Sequence, residues 1–128
     1  MAMEKKTTKT IGNNGEDIAV RHLKRLGYKI MDRNYHSRFG EIDIIAKHGE
    51  YYVFTEVKYR KSDGYGGGAG AVGKIKQERI IKTAQFYIAE KGLDDLPVRF
   101  DVVLVGTKTG AFGIKKAKVE VLENAFGI

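Results

Sequence analysis

Apolar residues recur with the three-to-four-residue spacing of a helix face in two parts of the chain. The first part predicts a helix over about 13–26, with Asn13 or Asn14 as its N-cap. Glu16 would then lie in the first turn, where the helix dipole favours anions. The second part predicts a helix over about 74–91, which ends near a glycine.

Outside these helices, several runs are rich in β-branched and aromatic residues, which is typical of strands. The predicted strands are Tyr28–Tyr35, Glu41–Lys47, Tyr51–Arg60 and Arg99–Val105, with one or two weaker strands between Ala111 and Leu122. The predicted order is therefore αβββαβ, an α/β fold in which helices pack on a mixed sheet.

The length of 128 residues favours a single domain. Residues 1–11 are rich in Lys and Thr and are predicted to be a disordered N-terminal segment, so the domain would span 12–128. The segment 62–73 is dominated by glycine and is predicted to be a mobile loop. It does not match the phosphate-binding pattern GxxxxGK[ST], because Ile75 follows Lys74.

The turn between the second and third predicted strands decides which side chains meet. Glu56 and Lys58 share one face of their strand, because strand side chains alternate. Asp43 joins that face only if the loop at the turn signal 48–50 has an even number of residues. A two-residue loop is expected to place Asp43 opposite Phe54, and a four-residue loop opposite Glu56. A three-residue loop would place it on the other face.

Composition narrows the classes of function. The chain has 23 basic and 16 acidic residues, a net charge of +7, which favours a polyanionic partner such as nucleic acid or merely serves solubility. It has no cysteine, which excludes a disulfide scaffold, a thiolate metal site and a cysteine nucleophile. Its three histidines lack the spacing of zinc ligands. No run of about 18 apolar residues occurs, so a cytoplasmic protein without a membrane partner is expected.

Asp43, Glu56 and Lys58 are charged residues within otherwise apolar strands, an arrangement that calls for a reason. Facing carboxylates repel each other, and a divalent cation would relieve that repulsion. With a lysine beside the scissile phosphate, the set is sufficient for metal-assisted phosphodiester hydrolysis. The alternative is a solvated face on which Asp43 is an edge-strand charge that blocks aggregation.

The motifs and their order resemble a known family. They are Gly15-Glu16, Gly40-Glu41-Ile42-Asp43, Phe54-Thr55-Glu56-Val57-Lys58 followed by Arg60, Lys76-Gln77, Arg99-Phe100-Asp101-Val102 and Asn124-Ala125-Phe126. Over nearly the whole chain, they resemble the YraN family of small bacterial proteins, predicted nucleases. That family is similar to archaeal Holliday-junction resolvases and belongs to the restriction-endonuclease-like, PD-(D/E)xK, fold. The resemblance implies an αβββαβ core.

Residue by residue, the resemblance implies that Asp43 and Glu56 are the two motif acids and that Lys58 is the motif lysine. Glu16 matches the helix glutamate of resolvase-like members, which would bind metal or orient a metal-bound water. Simple complementation of the helix dipole is the alternative for Glu16. Glu41 is the main rival acid. Ile42 replaces the motif proline, a departure that resolvase-like nucleases tolerate.

Three further residues are candidates for substrate binding. Arg60 would contact the DNA backbone or pair with a surface acid. Lys76 and Gln77 open the second helix and would contact a phosphate or form a solvated helix end. Asp101 is expected to be the partner of Arg99 or of another basic group rather than a catalytic residue.

Two basic groups, one around the first helix and its exit and one near the end of the chain, are predicted to surround the acids with phosphate contacts, with a solvated surface as the alternative. Their members are Arg21, Lys24, Arg25 and Lys29 in the first group, and Lys115, Lys116 and Lys118 in the second.

The predicted function is that of a divalent-metal-dependent endonuclease acting on DNA, with branched DNA suggested by the resolvase analogy. Mg²⁺ or Mn²⁺ would be bound by Asp43 and Glu56. The same analogy suggests a homodimer. The alternatives are a non-catalytic nucleic-acid-binding module with the same fold and a protein-interaction adaptor with a basic surface. A metal titration separates the first from the other two.

Overall fold

A computed structural model describes residues 8–59 and 72–127, and only the backbone of residues 8–14. The elements, in chain order, are α1 (Thr8–Arg25), β1 (Lys29–Ser37), β2 (Gly40–His48), β3 (Tyr51–Tyr59), α2 (Lys74–Lys91), β4 (Val98–Thr109), a short 3-10 turn (Ala111–Gly113) and β5 (Lys115–Phe126). The predicted α/β fold and the order αβββαβ are confirmed. The weaker region after it forms the single long strand β5.

The five strands form one mixed sheet in the order β1-β2-β3-β4-β5. Only β3 and β4 are parallel, and α2 lies between them in the chain, as a parallel connection requires. All other neighbours are antiparallel. The amino end of β2 and the carboxyl ends of β3 and β4 therefore lie at the same edge of the sheet.

One helix covers each face of the sheet. On one face, Leu23 of α1 packs in a buried cluster with Ile44 and Val103. On the other face, Tyr87 of α2 packs with Phe54 and other residues of the central strands. These three layers leave the central strands apolar on both sides, which explains their nearly continuous apolar sequence. Within the described residues, neither helix is long and apolar enough to cross a bilayer.

The start of α1 differs from the prediction. The helix begins at Thr8 rather than at Asn13 or Asn14, and its first turn holds no acidic residue, so Glu16 lies well inside the helix. The physical reason is that asparagine costs only about 0.7 kcal/mol or less in a helix interior, so a potential cap residue does not force a boundary. Residues 8–11 of the segment predicted to be disordered are helical, and residues 1–7 lie outside the described part.

The second helix matches its predicted bounds. It ends at Gly92, whose left-handed conformation (φ 70) lets Leu93 donate a backbone hydrogen bond to Ile88. The predicted glycine-rich loop spans 62–73, and its residues 62–71 lie outside the described part of the chain, whereas Val72 and Gly73 are described. Of these, Val72 is buried in the core beneath α2.

Candidate active site

The sheet opens between β2 and β3 at the edge where β2 begins and β3 ends. Pairing of the two strands runs from His48 and Tyr51 to Ile44 and Thr55 and then stops. Beyond that point, β2 stays paired with β1, and β3 stays paired with β4. The two strands therefore diverge and leave a gap that we call the fork. It is the one place in the described sheet where adjacent strands both continue without pairing to each other.

The β2–β3 turn sets which residues reach the fork. The loop has two residues, Gly49 and Glu50, and Gly49 adopts a left-handed conformation (φ 63). Continuing the observed register by one step puts Asp43 opposite Glu56. The expected even loop is confirmed, but the expectation that a two-residue loop pairs Asp43 with Phe54 is wrong. A pairing of Asp43 with Phe54 would need the two-residue loop at His48 and Gly49. The left-handed Gly49 instead puts the loop at Gly49 and Glu50, which shifts the register by two residues.

Asp43 and Glu56 meet inside the fork. The backbone N–H of Val57 has no strand partner on this side and donates to Oδ2 of Asp43 at 2.8 Å. The carboxyl groups of Asp43 and Glu56 lie close enough for the charge of Asp43 to raise the pKa of Glu56. The Glu56 side chain is only 7% exposed. Lys58, two residues further along β3, is half-buried, and its charge lowers the pKa of Glu56.

This burial changes the ionisation of both acids. Burial is the main cause, followed by the charge of Asp43, of a rise in the pKa of Glu56 from 4.5 to about 7. Lys76 and Lys58 act in the opposite direction. Burial also raises the pKa of Asp43, against the effect of the Val57 hydrogen bond. The pair therefore retains a proton near neutral pH, because two carboxyl groups lie close together where little water reaches them.

Glu16 of α1 brings a third carboxyl group to the same place. Burial and then the charge of Asp43 raise the pKa of its carboxyl group, whereas the charge of Arg33 and the amide of Asn34 lower it. One carboxyl oxygen, Oε1, is buried without a hydrogen-bond partner. The nearest cation, Nη2 of Arg33, lies 3.9 Å away from it. A buried carboxyl oxygen without a partner is costly, and it is the kind of atom that a cation or a metal-bound water would satisfy.

These donors fit a hard divalent cation, which prefers carboxylate oxygens and keeps several waters. Among the described residues, no three His, Asp or Glu side chains make a complete metal-ligand set by themselves. Asp43 and Glu56 are the two carboxylates that could hold such a cation. Water and a substrate phosphate would supply the remaining oxygens.

The other predicted site residues differ in whether they reach the acids of the fork. Nζ of Lys76 lies 3.5 Å from Oε2 of Glu56, so the start of α2 reaches the fork. Gln77 instead donates to the carbonyl of Val72 at 2.8 Å and fastens the chain before α2. Glu41 is exposed, with Oε1 3.5 Å from Nε2 of His36, and acts on the acids only by raising the pKa of Asp43. Arg60 lies outside the described residues.

Sequence reasoning missed two residues on β1. Asn34 lies level with Asp43, between the pairs that flank it, and has a left-handed backbone (φ 53). Nη2 of Arg33 lies 3.9 Å from Oε1 of Glu16 and donates to Oδ1 of Asp17 at 2.8 Å. Asparagine is uncommon in strands and tolerates φ above zero, and this is the one signal in the sequence that marked the position.

Three of the four residues of the first basic group, Lys24, Arg25 and Lys29, are not where they were expected. Tyr28, just after α1, stacks on His48 at the β2–β3 turn, with 3.9 Å between the ring centroids. The end of α1, with Lys24, Arg25 and Lys29, therefore lies toward the edge opposite the fork, so these residues do not surround the acids. The second basic group, at the start of β5, lies beyond the fork edge because it pairs with the extended end of β4.

The three-layer architecture, with acids in a forked mixed sheet, is consistent with a restriction-endonuclease-like core. A family model described as "Uncharacterised protein family UPF0102" matches residues 15–105. The chain belongs to this family, also called the YraN family.

Related proteins align with this chain over most of its length. A UPF0102 protein of Syntrophus aciditrophicus is 46% identical over 115 residues, which cover 90% of this chain and 87% of the relative. One of Syntrophotalea carbinolica is 42% identical over 119 residues, 93% of both chains. One of Alkaliphilus metalliredigens is 40% identical over 121 residues, 93% of this chain and 99% of the relative. The resemblance drawn from the motifs is thus confirmed at the level of the family.

Proposed function

We propose that the protein is a divalent-metal-dependent endonuclease that hydrolyses DNA phosphodiester bonds. The observation that carries this proposal is the meeting of half-buried Asp43 and buried Glu56 in the fork, both with a raised pKa, beside Lys58 and Lys76. A buried pair of acids costs stability, so its presence beside lysines indicates a functional role such as binding a ligand. The +7 net charge favours a polyanionic substrate.

Each residue has a distinct role in this proposal. Asp43 and Glu56 would hold Mg²⁺ or Mn²⁺, and Glu16 would orient a water beside it. The cation, when bound, supplies a water of lowered pKa and neutralises charge on the phosphate. Lys58 places its ammonium beside the attacked phosphate, where negative charge develops.

In this proposal, Lys76 exchanges Glu56 for a substrate phosphate when the cation binds. In the protein without metal, it balances the charge of Glu56 across 3.5 Å. Its side chain is 45% exposed, which leaves it free to turn toward a phosphate once a cation takes over that balance.

A cleavage assay tests the proposal. Linear, flap and four-way DNA are incubated with the protein and Mg²⁺ or Mn²⁺. Cleavage is expected only with metal, and Lys58→Ala and Asp43→Asn are each expected to lower its rate at least about 100-fold. Glu50→Gln is the matched control, because Glu50 lies in the exposed turn at the far end of the same hairpin. It should leave the rate unchanged.

Two results would contradict the proposal. One is the absence of cleavage of all three DNA forms by the native protein with either metal. The other is cleavage that survives Lys58→Ala unchanged. DNA binding that persists in both cases without any metal dependence would favour the non-catalytic binding module instead.

A further inference from the structure

The β4–β5 hairpin extends beyond the edge at which the fork opens. Residue Glu56 in the fork pairs with Val102, and β4 continues from there to Thr109. Seven residues at about 3.3 Å each carry the hairpin roughly 23 Å past the acids. We call residues 107–118 the basic hairpin. All of them are exposed, so this part of the hairpin contributes nothing to either core.

The tip of the basic hairpin carries an aromatic side chain that no fold requirement explains. Phe112 is 98% exposed. It also has a left-handed backbone (φ 58), which is unfavourable for a bulky residue and which glycine or asparagine adopts more readily. Ile114 beside it is 57% exposed. A strained and exposed phenylalanine costs stability and solubility, and contact of its ring with another molecule would offset that cost.

The hairpin also brings lysines together against their mutual repulsion. Lys108 and Lys116 lie directly opposite each other in the β4–β5 register. Lys118 pairs with Gly106, so it lies two residues along on the same face. Like charges directly opposite each other destabilise a sheet. Within the described residues, neither of the facing lysines forms an ion pair that would relieve this.

We propose that the basic hairpin recognises DNA at a point where the duplex is opened. The lysine face binds backbone phosphates, and Phe112 stacks on an unpaired base or enters the opened step. The aromatic group and the lysines alone would also suit an anionic lipid surface. The direction of the hairpin favours DNA, because it projects from the same sheet edge as the acids and extends the surface that a strand in the fork would follow.

The distance sets where the opened point lies, and this part rests on the proposed nuclease function. A span of roughly 23 Å corresponds to about seven base pairs at 3.4 Å each. The substrate class is therefore a duplex with a junction, flap or fork about seven base pairs from the bond that is cut.

Binding without metal tests the hairpin separately from catalysis. Fluorescence anisotropy in EDTA compares a fully paired duplex with the same duplex opened into a fork. Phe112→Ala should weaken binding to the fork by about 5- to 100-fold and change duplex binding less than twofold. Phe86→Ala is the matched control, since Phe86 is 48% exposed on α2, and it should change neither.

The lysine face has its own variant and control. Lys108→Gln with Lys116→Gln should weaken binding to both DNAs equally and reduce the slope of log K against log salt by about 2. Lys24→Gln with Lys91→Gln removes the same charge at the opposite edge and should change the slope by less than half of that.

Three results would overturn the proposal: unchanged preference for the fork in Phe112→Ala, equal slopes for the two lysine pairs, or hairpin variants that lose binding to anionic vesicles but not to DNA. Failure of cleavage with an intact effect of Phe112→Ala on binding would reject the nuclease and keep the hairpin. Cleavage of all DNA forms without any effect of Phe112→Ala would reject the hairpin and keep the nuclease.

Discussion

At the scale of single residues, the site is built from carboxyl groups that destabilise the protein in which they lie. Glu56 is buried next to Asp43, and Glu16 lies where the charge of Asp43 raises its pKa, with one of its oxygens left without a partner. Folding must remove these groups from water and bring their charges together. Such a cluster is expected where a fold gives up stability for function, and it has a direct consequence for the effect of pH.

The expected effect is that Glu56→Gln stabilises the metal-free protein at neutral and alkaline pH. The native pKa of Glu56 is about 7 and its ordinary value is 4.5, so the native state binds more protons than the unfolded state between these values. Stability therefore falls as pH rises through this window, and the cost is complete above about pH 7. The shift corresponds to about 3 kcal/mol, which the glutamine avoids.

Urea denaturation in EDTA measures this difference. Glu56→Gln should gain about 3 kcal/mol at pH near 8 and almost nothing at pH near 4.5. Glu50→Gln, in the exposed turn, should change stability by less than about 0.5 kcal/mol at either pH. A gain of the same size at both pH values would show that ionisation of Glu56 is not its cause.

At the scale of elements, a buried ion pair joins β4, β5 and the segment after α1 at the edge opposite the fork. Arg99 donates to both carboxyl oxygens of Asp101, at 3.0 and 2.9 Å, and to the hydroxyl of Tyr28 at 2.8 Å. Oδ1 of Asp101 also accepts the backbone N–H of Asn124 at 2.9 Å, where the β4–β5 register shifts. The expected pairing of Asp101 with Arg99 is confirmed, and its role is to hold the sheet together.

Asp101→Asn is expected to lower the free energy of unfolding by about 3–5 kcal/mol, because it leaves the largely buried guanidinium of Arg99 without its paired charge. Urea denaturation measures the loss. Asp94→Asn serves as the control, because Asp94 is exposed after α2, and it should lower the free energy of unfolding by less than about 0.5 kcal/mol. A loss below 1 kcal/mol for Asp101→Asn would contradict the structural role given to this pair.

At the scale of the whole molecule, charge is distributed unevenly about the sheet. The acids gather inside the fork, and the basic hairpin extends from the same edge. The basic residues at the end of α1 lie toward the other edge. A long polyanion that follows the fork edge would therefore meet lysines along the hairpin and acids only at the point where a cation binds.

The affinity for DNA should depend strongly on salt. If about six phosphates are neutralised, log K should fall with log salt with a slope of about −5. Anisotropy titrations over a range of salt concentrations, without metal, measure the slope. A slope near −1, or no binding at moderate salt, would support the protein-interaction adaptor rather than either nucleic-acid function.

Much of the architecture was determined by the sequence itself. The bounds of α2, the order αβββαβ and the candidate acids follow from side-chain periodicity and from motif residues, which are local properties of the chain. The start of α1 did not follow, because asparagine is tolerated within a helix and a cap signal does not fix a boundary.

Only the tertiary structure decided that Asp43 faces Glu56, that Glu16 and Asn34 reach the same fork, and that one basic group lies at the wrong edge to serve it. The register of β2 against β3 depends on a single left-handed glycine in the turn. The position of α1 depends on contacts with strands that follow it in the chain, such as those of Leu23 with Ile44 and Val103. Such relations arise between residues far apart in the chain, and periodicity carries no information about them.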